Sequence, residues 1–132
     1  MNECAEKTIN EFLKNRNLKI TKRDSITSDG NKTNYKLWNS NIVVRDLQTN
    51  SIYLSDCGYK TSTTSERLNA FLQHFNAVDW DGNSICYTPS IGFYSLATRE
   101  NKKDASKKVV YKKVINESQI MIDYYTGKLL AK

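Results

Sequence analysis

Apolar residues recur at different intervals along the chain, and each interval predicts a different element. Near the amino terminus, Ile9 and Phe12 recur at helical spacing, which predicts a helix within residues 1–16. Residues 18–55 then alternate between apolar and polar types. Together with a turn signal at Asp29-Gly30, this alternation predicts a β-meander of up to four strands.

A second helix is predicted over residues 63–75. Its apolar stripe occupies positions i, i+3, i+4 and i+7: Leu68, Phe71, Leu72 and Phe75. A stripe of this kind packs one face of a helix against a sheet. Thr63 and Glu66 have the spacing of a capping box, in which two residues satisfy each other's backbone amides at the start of a helix.

The remaining apolar runs are short and rich in β-branched and aromatic residues, which favours strands. Strands are predicted within residues 84–97, and a basic carboxyl-terminal hairpin within residues 107–126, with Val109–Tyr111 and Ile120–Ile122 as its two strands. Residues 1–132 are thus predicted to form one α+β domain. It would have a mainly antiparallel sheet of about six to eight strands, an amino-terminal helix, and one central amphipathic helix packed on the sheet.

The composition is that of an ordinary globular protein, with 39% hydrophobic and 26% charged residues. The cysteines Cys4, Cys57 and Cys86 are odd in number and widely spaced, which favours free thiols over a disulfide framework or a zinc site. The amino terminus lacks the apolar core of a signal peptide, and no apolar run approaches the ~20 residues of a membrane span. These features predict a cytoplasmic protein with no membrane partner.

The net charge of +6 is concentrated at the two ends of the chain. Residues 1–23 carry +3, residues 24–98 carry −2, and residues 99–132 carry +5. Basic ends around a mildly acidic middle favour an anionic partner such as a nucleic acid. The alternative is a lysine-rich surface that serves only solubility.

The basic segment near the carboxyl terminus supplies the candidate binding residues. Six lysines surround one tyrosine: Lys102, Lys103, Lys107, Lys108, Tyr111, Lys112 and Lys113. Lysines neutralise phosphates, and a tyrosine offers a stacking face to an unpaired base. If residues 107–115 form a strand, Lys108 and Lys112 share one face, and Lys107 and Lys113 share the other with Tyr111. The alternative is an edge hairpin whose lysines discourage aggregation.

Signals for catalysis are weaker. The only histidine, His74, has no recognisable partner, and Cys57 lies too far from the predicted helix start to be activated by it. Glu100-Asn101-Lys102 has the Glu-x-Lys form of metal-dependent nucleases, with Asp79 or Asp81 as the upstream acid, but it lies in a hydrophilic run. The sequence contains no phosphate-binding loop, zinc-protease motif or nucleophile elbow. We therefore expect a binding protein that has no enzymatic activity and needs no cofactor or metal.

Three short patterns resemble a loose family of bacteriophage and mobile-element proteins. They are Leu37-Trp38-Asn39, then Ser55-Asp56-Cys57-Gly58, then Thr63-Thr64 followed by Arg67-Leu68-Asn69. The resemblance covers roughly residues 36–96 and implies a shared scaffold without a particular activity. It also implies that the amino-terminal helix and the basic carboxyl-terminal hairpin are additions specific to this protein.

The resemblance suggests a phage or mobile-element accessory protein that works by binding in the host cytoplasm. The leading hypothesis is inhibition of a host defence nuclease, in the style and size of anti-CRISPR proteins, through the effector or its nucleic-acid path. One alternative is an accessory protein that binds nucleic acid in a salt-sensitive manner. Another is a sponge that traps a cyclic signalling nucleotide. The expected partners are accordingly a host nuclease or other defence effector, a nucleic acid, or both.

Overall fold

The computed structural model describes residues 3–15, 17–104 and 106–131, with side chains described from residue 7 onward. These residues form two helices, α1 (Glu3–Leu13) and α2 (Ser62–His74). They also form ten strands: β1 (Leu18–Lys19), β2 (Asp24–Ser28), β3 (Lys32–Leu37), β4 (Ser40–Asp46), β5 (Ser51–Ser55), β6 (Ile85–Thr88), β7 (Gly92–Glu100), β8 (Lys108–Asn116), β9 (Gln119–Asp123) and β10 (Leu129–Ala131). In the described part of the chain, neither helix is long and apolar enough to cross a membrane.

Two antiparallel sheets divide these strands. The larger sheet has the order β1-β2-β3-β4-β5-β9-β10, so the first five strands form a meander and β9 joins it beside β5. The smaller sheet has the order β6-β7-β8. The predicted α+β class, with a mainly antiparallel sheet and two helices, is confirmed. The ten strands exceed the expected number because residues 18–55 form five strands instead of up to four, and because β10, at three residues, leaves little pattern in the sequence.

The predicted carboxyl-terminal hairpin over residues 107–126 is wrong. Strand β8 pairs with β7, whereas β9 pairs with β5, so the two expected partners belong to different sheets. Burial explains why β9 joins the larger sheet and β8 does not. Ile120 and Ile122 on β9 are 2% and 0% exposed against the core, while Val110 on β8 is 62% exposed. The amide oxygen of Asn116 accepts from the Ser118 N–H at 3.0 Å and turns the chain from one sheet into the other.

Both helices cover the core of the larger sheet. Helix α1 contributes Ile9 and Phe12, and α2 contributes Leu68, Phe71 and Leu72, all at most 2% exposed. The Phe71 ring meets the Phe12 ring edge-on at 5.2 Å, and burial of such a side chain stabilises the fold by roughly 1.5–3 kcal/mol. The predicted apolar stripe of the central helix therefore packs as expected, although Phe75 lies at its end and is only half-buried.

The predicted capping box at Thr63 and Glu66 is wrong. Helix α2 begins at Ser62, and its N-cap is Thr61, two residues before Thr63, with a hydroxyl that accepts from the Thr64 N–H at 3.2 Å. Four consecutive Ser or Thr residues occupy positions 61–64, and each of them is a competent cap. The Thr61 hydroxyl also donates to the Thr64 hydroxyl at 3.1 Å, whereas Glu66 points outward with its side chain 70% exposed.

Candidate binding surface

The smaller sheet ends in a two-stranded ribbon. Strand β6 pairs only with residues 92–95 of β7. The last hydrogen bond on that side of β7 runs from the Leu96 N–H to the Ser84 carbonyl, at 3.2 Å. Beyond that point, four residue pairs join β7 to β8 alone, from Ala97 opposite Tyr111 to Glu100 opposite Lys108. We call residues 97–113, which comprise this ribbon, its connecting loop and Lys112-Lys113 at its base, the arm.

The arm has no core on either face. Of its described side chains, only Ala97 is buried, and Asn101 and Val109 are half-buried, while all the others are exposed. Its base is held more firmly, because Gly92 at the start of β7 lies against the backbone of Glu117. With φ at +93° and no room for a Cβ atom, that position requires glycine.

Cations lie on both faces of the arm. Residues opposite each other in an antiparallel pair point to the same face. The first face carries the pairs Leu96–Lys112, Thr98–Val110 and Glu100–Lys108. The second face carries the pairs Ser95–Lys113, Ala97–Tyr111 and Arg99–Val109. Lys108 and Lys112 thus share the first face, and Lys113 shares the second face with Tyr111, as the alternation predicted. Lys107 was expected on the second face as well, but it lies in the loop because β8 begins at Lys108.

All seven predicted binding residues belong to the arm, although the strand that pairs with β8 is β7 and not β9 as expected. Lys102, Lys103 and Lys107 lie in the connecting loop, and the other four lie along β8. The sequence reasoning missed Arg99, whose guanidinium lies 5.4 Å from the centre of the Tyr111 ring. Arg99 is twelve residues before Tyr111, and only the register of β7 against β8 brings the two together.

The arm concentrates the charge of the whole protein. It holds seven Lys or Arg residues and two acids, and its net charge of +5 compares with +6 for the complete chain. Asp104 is held by Ser106, whose N–H and hydroxyl donate to its carboxylate at 3.1 and 2.6 Å. Within the described residues, the only ion pair of an arm cation joins Lys113 to Asp81 at 3.9 Å, and both side chains are exposed. The arm therefore presents an almost unneutralised positive surface.

A buried ionic cluster joins helix α2 to the larger sheet. Asp24, which is 3% exposed, accepts from Arg67 Nε at 2.9 Å, from Arg67 Nη2 at 3.2 Å and from Thr21 at 2.7 Å. It also accepts from the hydroxyl of Tyr35. Burial raises the pKa of Asp24, but the hydrogen bonds from Arg67, Tyr35 and Thr21 outweigh it and lower the pKa to about 2. The cluster ties α2 to β2 and β3.

A second cluster surrounds Asp56, which is fully buried at the end of β5. Its carboxylate accepts from the Tyr87 hydroxyl at 2.7 Å, from Lys60 Nζ at 2.9 Å and from the Gly58 N–H at 2.8 Å. These hydrogen bonds outweigh the effect of burial and lower the pKa of Asp56. Lys60 also donates to the Glu117 carbonyl at 2.7 Å. The cluster therefore joins the two sheets at the connection between β8 and β9.

The patterns that carry the phage resemblance are largely explained by these contacts. The side chain of Asn69 bonds to the backbone of Tyr87 as a neighbouring strand would. Its oxygen accepts from the Tyr87 N–H at 2.9 Å, and its amide donates to the Tyr87 carbonyl at 2.8 Å. Arg67 holds Asp24, and Asp56 with Gly58 forms the turn that leaves β5. Each of these residues joins elements of the scaffold to one another.

The residues of the nuclease hypothesis do not form a site. Asp79 accepts from the N–H groups of Asp81 and Asn83, both at 2.9 Å, and so holds a turn. Asp81 lies beside Lys113, which pairs with Ser95, whereas Glu100 ends the same strand about 17 Å further along. In the described part of the chain, no three His, Cys, Asp or Glu side chains are grouped so as to hold a metal ion.

The two residues considered as nucleophile and base are separate. Burial raises the pKa of the Cys57 thiol, and the thiol donates to the Asn41 carbonyl at 3.3 Å. His74 is exposed in the last turn of α2, and its ring lies edge-on to Phe75 at 5.0 Å. Cys57 therefore has the environment of a turn residue rather than that of an activated nucleophile.

Two grooves on the described surface are large enough to consider for a small ligand. One, of about 700 Å³, is lined by Trp80, three aspartates and a single cation, Lys128. The other, of about 740 Å³, lies over the Asp24 cluster, where Arg67 and Tyr35 are already bonded to Asp24. A site for a cyclic nucleotide needs unneutralised cations beside an aromatic ring. The three aspartates of the first groove repel a phosphate, whereas the second groove offers one exposed cation, Arg23, with Tyr35 and Phe71 in its lining.

A comparison with protein families places the chain among phage proteins. Residues 1–89 match the Kyanoviridae Gp96 protein family. The chain belongs to this family. Searches of curated proteins and of solved structures found no match. The predicted origin in a phage protein family is confirmed, but the family match includes α1, so the expectation that this helix is an addition is wrong. The arm lies outside the matched residues.

Proposed function

We propose that this phage protein is a non-enzymatic accessory protein that binds nucleic acid through its arm. The observation that carries the proposal is the concentration of a net +5 charge on a ribbon with no core on either face. Exposed lysines release counterions when they neutralise phosphates, and this release provides most of the affinity in sequence-independent binding. The remainder of the chain carries only +1, so the arm dominates attraction to a polyanion.

The sign of the charge also bears on inhibition of a host defence nuclease, which is the second candidate function. A channel that holds nucleic acid is itself basic and repels a basic arm. An inhibitor of this kind would therefore act on the nucleic acid or on another face of the enzyme. The first face favours a protein contact, because Val110 in the arm is 62% exposed, and Leu96 and Val114 next to its base are 40% and 54% exposed. Protein interfaces combine such apolar centres with polar rims.

The proposal is tested by the salt dependence of binding. Fluorescence anisotropy with labelled DNA, over roughly 50–200 mM salt, gives the slope of log K against log salt. Replacement of Lys107, Lys108, Lys112 and Lys113 by Ala should reduce the magnitude of that slope by up to about 3.6. The matched control replaces four exposed lysines outside the arm, Lys7, Lys19, Lys22 and Lys32, and should leave most of the affinity intact. An unchanged affinity in the arm variant would contradict the proposal.

The second candidate function has its own test. A purified defence nuclease is assayed for cleavage with increasing amounts of this protein, and then again with excess nucleic acid. Inhibition that excess nucleic acid relieves indicates sequestration by the arm. Inhibition that persists, and that is lost when Val110 and Val114 are replaced by Ser, indicates a contact with the nuclease itself. No inhibition at any concentration argues against this function for the nuclease tested.

A further inference from the structure

We infer that the arm enters the major groove of B-form duplex DNA, an inference that rests on the proposed binding of nucleic acid. Beyond the reach of β6, the arm is two strands wide and about 14 Å long before its loop begins. Sheets that pack face to face are about 10 Å apart, so a ribbon that enters edge-on, with side chains on both faces, is about 10 Å thick. It fits the major groove, which is about 12 Å wide and 8.5 Å deep. The minor groove, at about 6 Å, is too narrow.

The placement of cations on both faces favours insertion over flat docking. A ribbon that lies flat on a nucleic acid needs cations on one face only. Here Lys108 and Lys112 lie on the first face, and Arg99 and Lys113 lie on the second. A ribbon inside a groove has a phosphate strand on each side, so cations on both faces find partners. The loop adds three further exposed lysines at the tip: Lys102, Lys103 and Lys107.

The aromatic residues argue against a single strand as the main ligand. Binding of single strands relies on several aromatic rings on which successive bases stack. Among the described arm residues, Tyr111 is the only aromatic side chain, and the Arg99 guanidinium already lies over its ring. Tyr94, just beyond the base, is 8% exposed and lies beneath the Lys112 ammonium at 5.3 Å. The arm therefore offers charge along its length but no stacking platform.

Duplex RNA fits the arm poorly as well. The major groove of an A-form helix is deep and narrow, so the side chains of a ribbon do not reach into it. Its wide minor groove is shallow and gives a ribbon phosphates to contact on one face only. The ribbon width, the distribution of cations and the scarcity of aromatic rings all favour B-form DNA.

A comparison of three ligands tests the inference on the intact protein. Affinity is measured for a duplex DNA, for a duplex RNA of the same sequence, and for a single-stranded DNA with the same number of phosphates. The duplex DNA should bind tightest, and prior occupation of the major groove by methyl green should weaken it more than netropsin in the minor groove does. If single-stranded DNA or duplex RNA binds as tightly, the inference is overturned while the proposed function stands. If none of the three binds, both are overturned.

Two double variants test insertion independently of the ligand class. Lys108 and Lys112 are replaced by Ala in one variant, and Arg99 and Lys113 in the other, so each removes two charges from one face. Insertion predicts that both variants reduce the magnitude of the salt slope by similar amounts, up to about 1.8. A control with Lys19 and Lys22 replaced, both exposed and outside the arm, should change the slope much less. A loss confined to one face would show flat docking and overturn the inference.

Discussion

The Asp24 cluster and the arm use the same charged residue types in opposite ways. In the cluster, Arg67 and Asp24 neutralise each other, with side chains 22% and 3% exposed. In the arm, all but one of the cations lack an ion pair within the described residues, and they face solvent. The first arrangement holds elements together, and the second leaves charge available to a ligand. Charged residues therefore indicate function here only when their burial and partners are known.

The comparison also separates the part of the chain that recurs in the family from the part that carries the proposed function. The family match over residues 1–89 includes both aspartate clusters except for the contact from Lys60 to Glu117. The arm follows this range. Substitutions in the aspartate clusters should therefore lower stability, whereas substitutions in the arm should lower binding.

The largest effect is expected at the Asp24 cluster. Replacement of Asp24 by Ala leaves the half-buried Arg67 guanidinium without its carboxylate and the buried Tyr35 hydroxyl without its acceptor. Breaking a buried pair in this way costs about 3–5 kcal/mol of unfolding free energy. Urea denaturation followed by circular dichroism measures the loss. The matched control, Asp81→Ala, removes an exposed carboxylate (72%) and should change stability little. Equal losses in the two variants would refute the role given to the cluster.

A smaller loss is expected at Asn69. The substitution Asn69→Ala leaves the Tyr87 N–H without its side-chain acceptor at the junction of α2 and β6, and leaves the Tyr87 carbonyl with only the Ser65 hydroxyl, at 3.4 Å. The expected cost is about 1–3 kcal/mol, because an unsatisfied buried N–H loses its hydrogen bond without regaining water. The control, Gln73→Ala, changes an exposed residue on the same helix. Hydrogen exchange of the Tyr87 amide should accelerate in the first variant and not in the second.

Acid should weaken the scaffold through Asp24. Its folded pKa is about 2, against 3.8 for an unperturbed aspartate, so its contribution is present above pH 4 and is lost as the pH falls towards 2. The amount is about 2 kcal/mol of unfolding free energy. Urea denaturation between pH 5 and pH 2 should show this decline in the natural protein, and a shallower one in Asp24→Asn. A parallel decline in the two proteins would assign the acid sensitivity to other carboxylates, such as Asp56.

The smallest effect on stability is expected in the arm. Replacement of Lys107, Lys108, Lys112 and Lys113 by Ala removes exposed side chains and should change the unfolding free energy by less than about 0.5 kcal/mol per site. Urea denaturation of this variant and of the Asp24 variant, under the same conditions, completes the comparison. A large loss of stability in the arm variant would show that the arm is part of the scaffold.

The alternating pattern of the sequence predicted much of the arm, because side-chain direction in a strand follows from local spacing. It placed Lys108 and Lys112 on one face and Tyr111 on the other, as the structure does. It did not predict which strand β8 pairs with, since that depends on which segment buries more apolar surface. The isoleucines of β9 extend the core of the larger sheet, and this is a non-local property.

Of the Asp24 cluster, only Arg67 stood in a recognised sequence pattern, and nothing in the sequence paired it with Asp24. Asp24 and Arg67 are 43 residues apart, and neither lies in an apolar run that marks burial. The helix cap was ambiguous for a different reason, because Thr61 and Thr63 are chemically equivalent caps and the turn after β5 decides between them. Tertiary contacts therefore determined the features that sequence patterns left open.

Because of the order of the strands, a break in the chain at the tip of the arm should leave the fold intact. A cut by trypsin after Lys103 leaves β1–β5 in one piece and β9 and β10 in the other. Both pieces are needed to complete the larger sheet, because β9 lies between β5 and β10 and its Ile120 and Ile122 are buried there. The nicked protein should therefore remain one folded particle. Halves expressed separately would form a complementing pair, whose reassembly reports that the two sheets have formed.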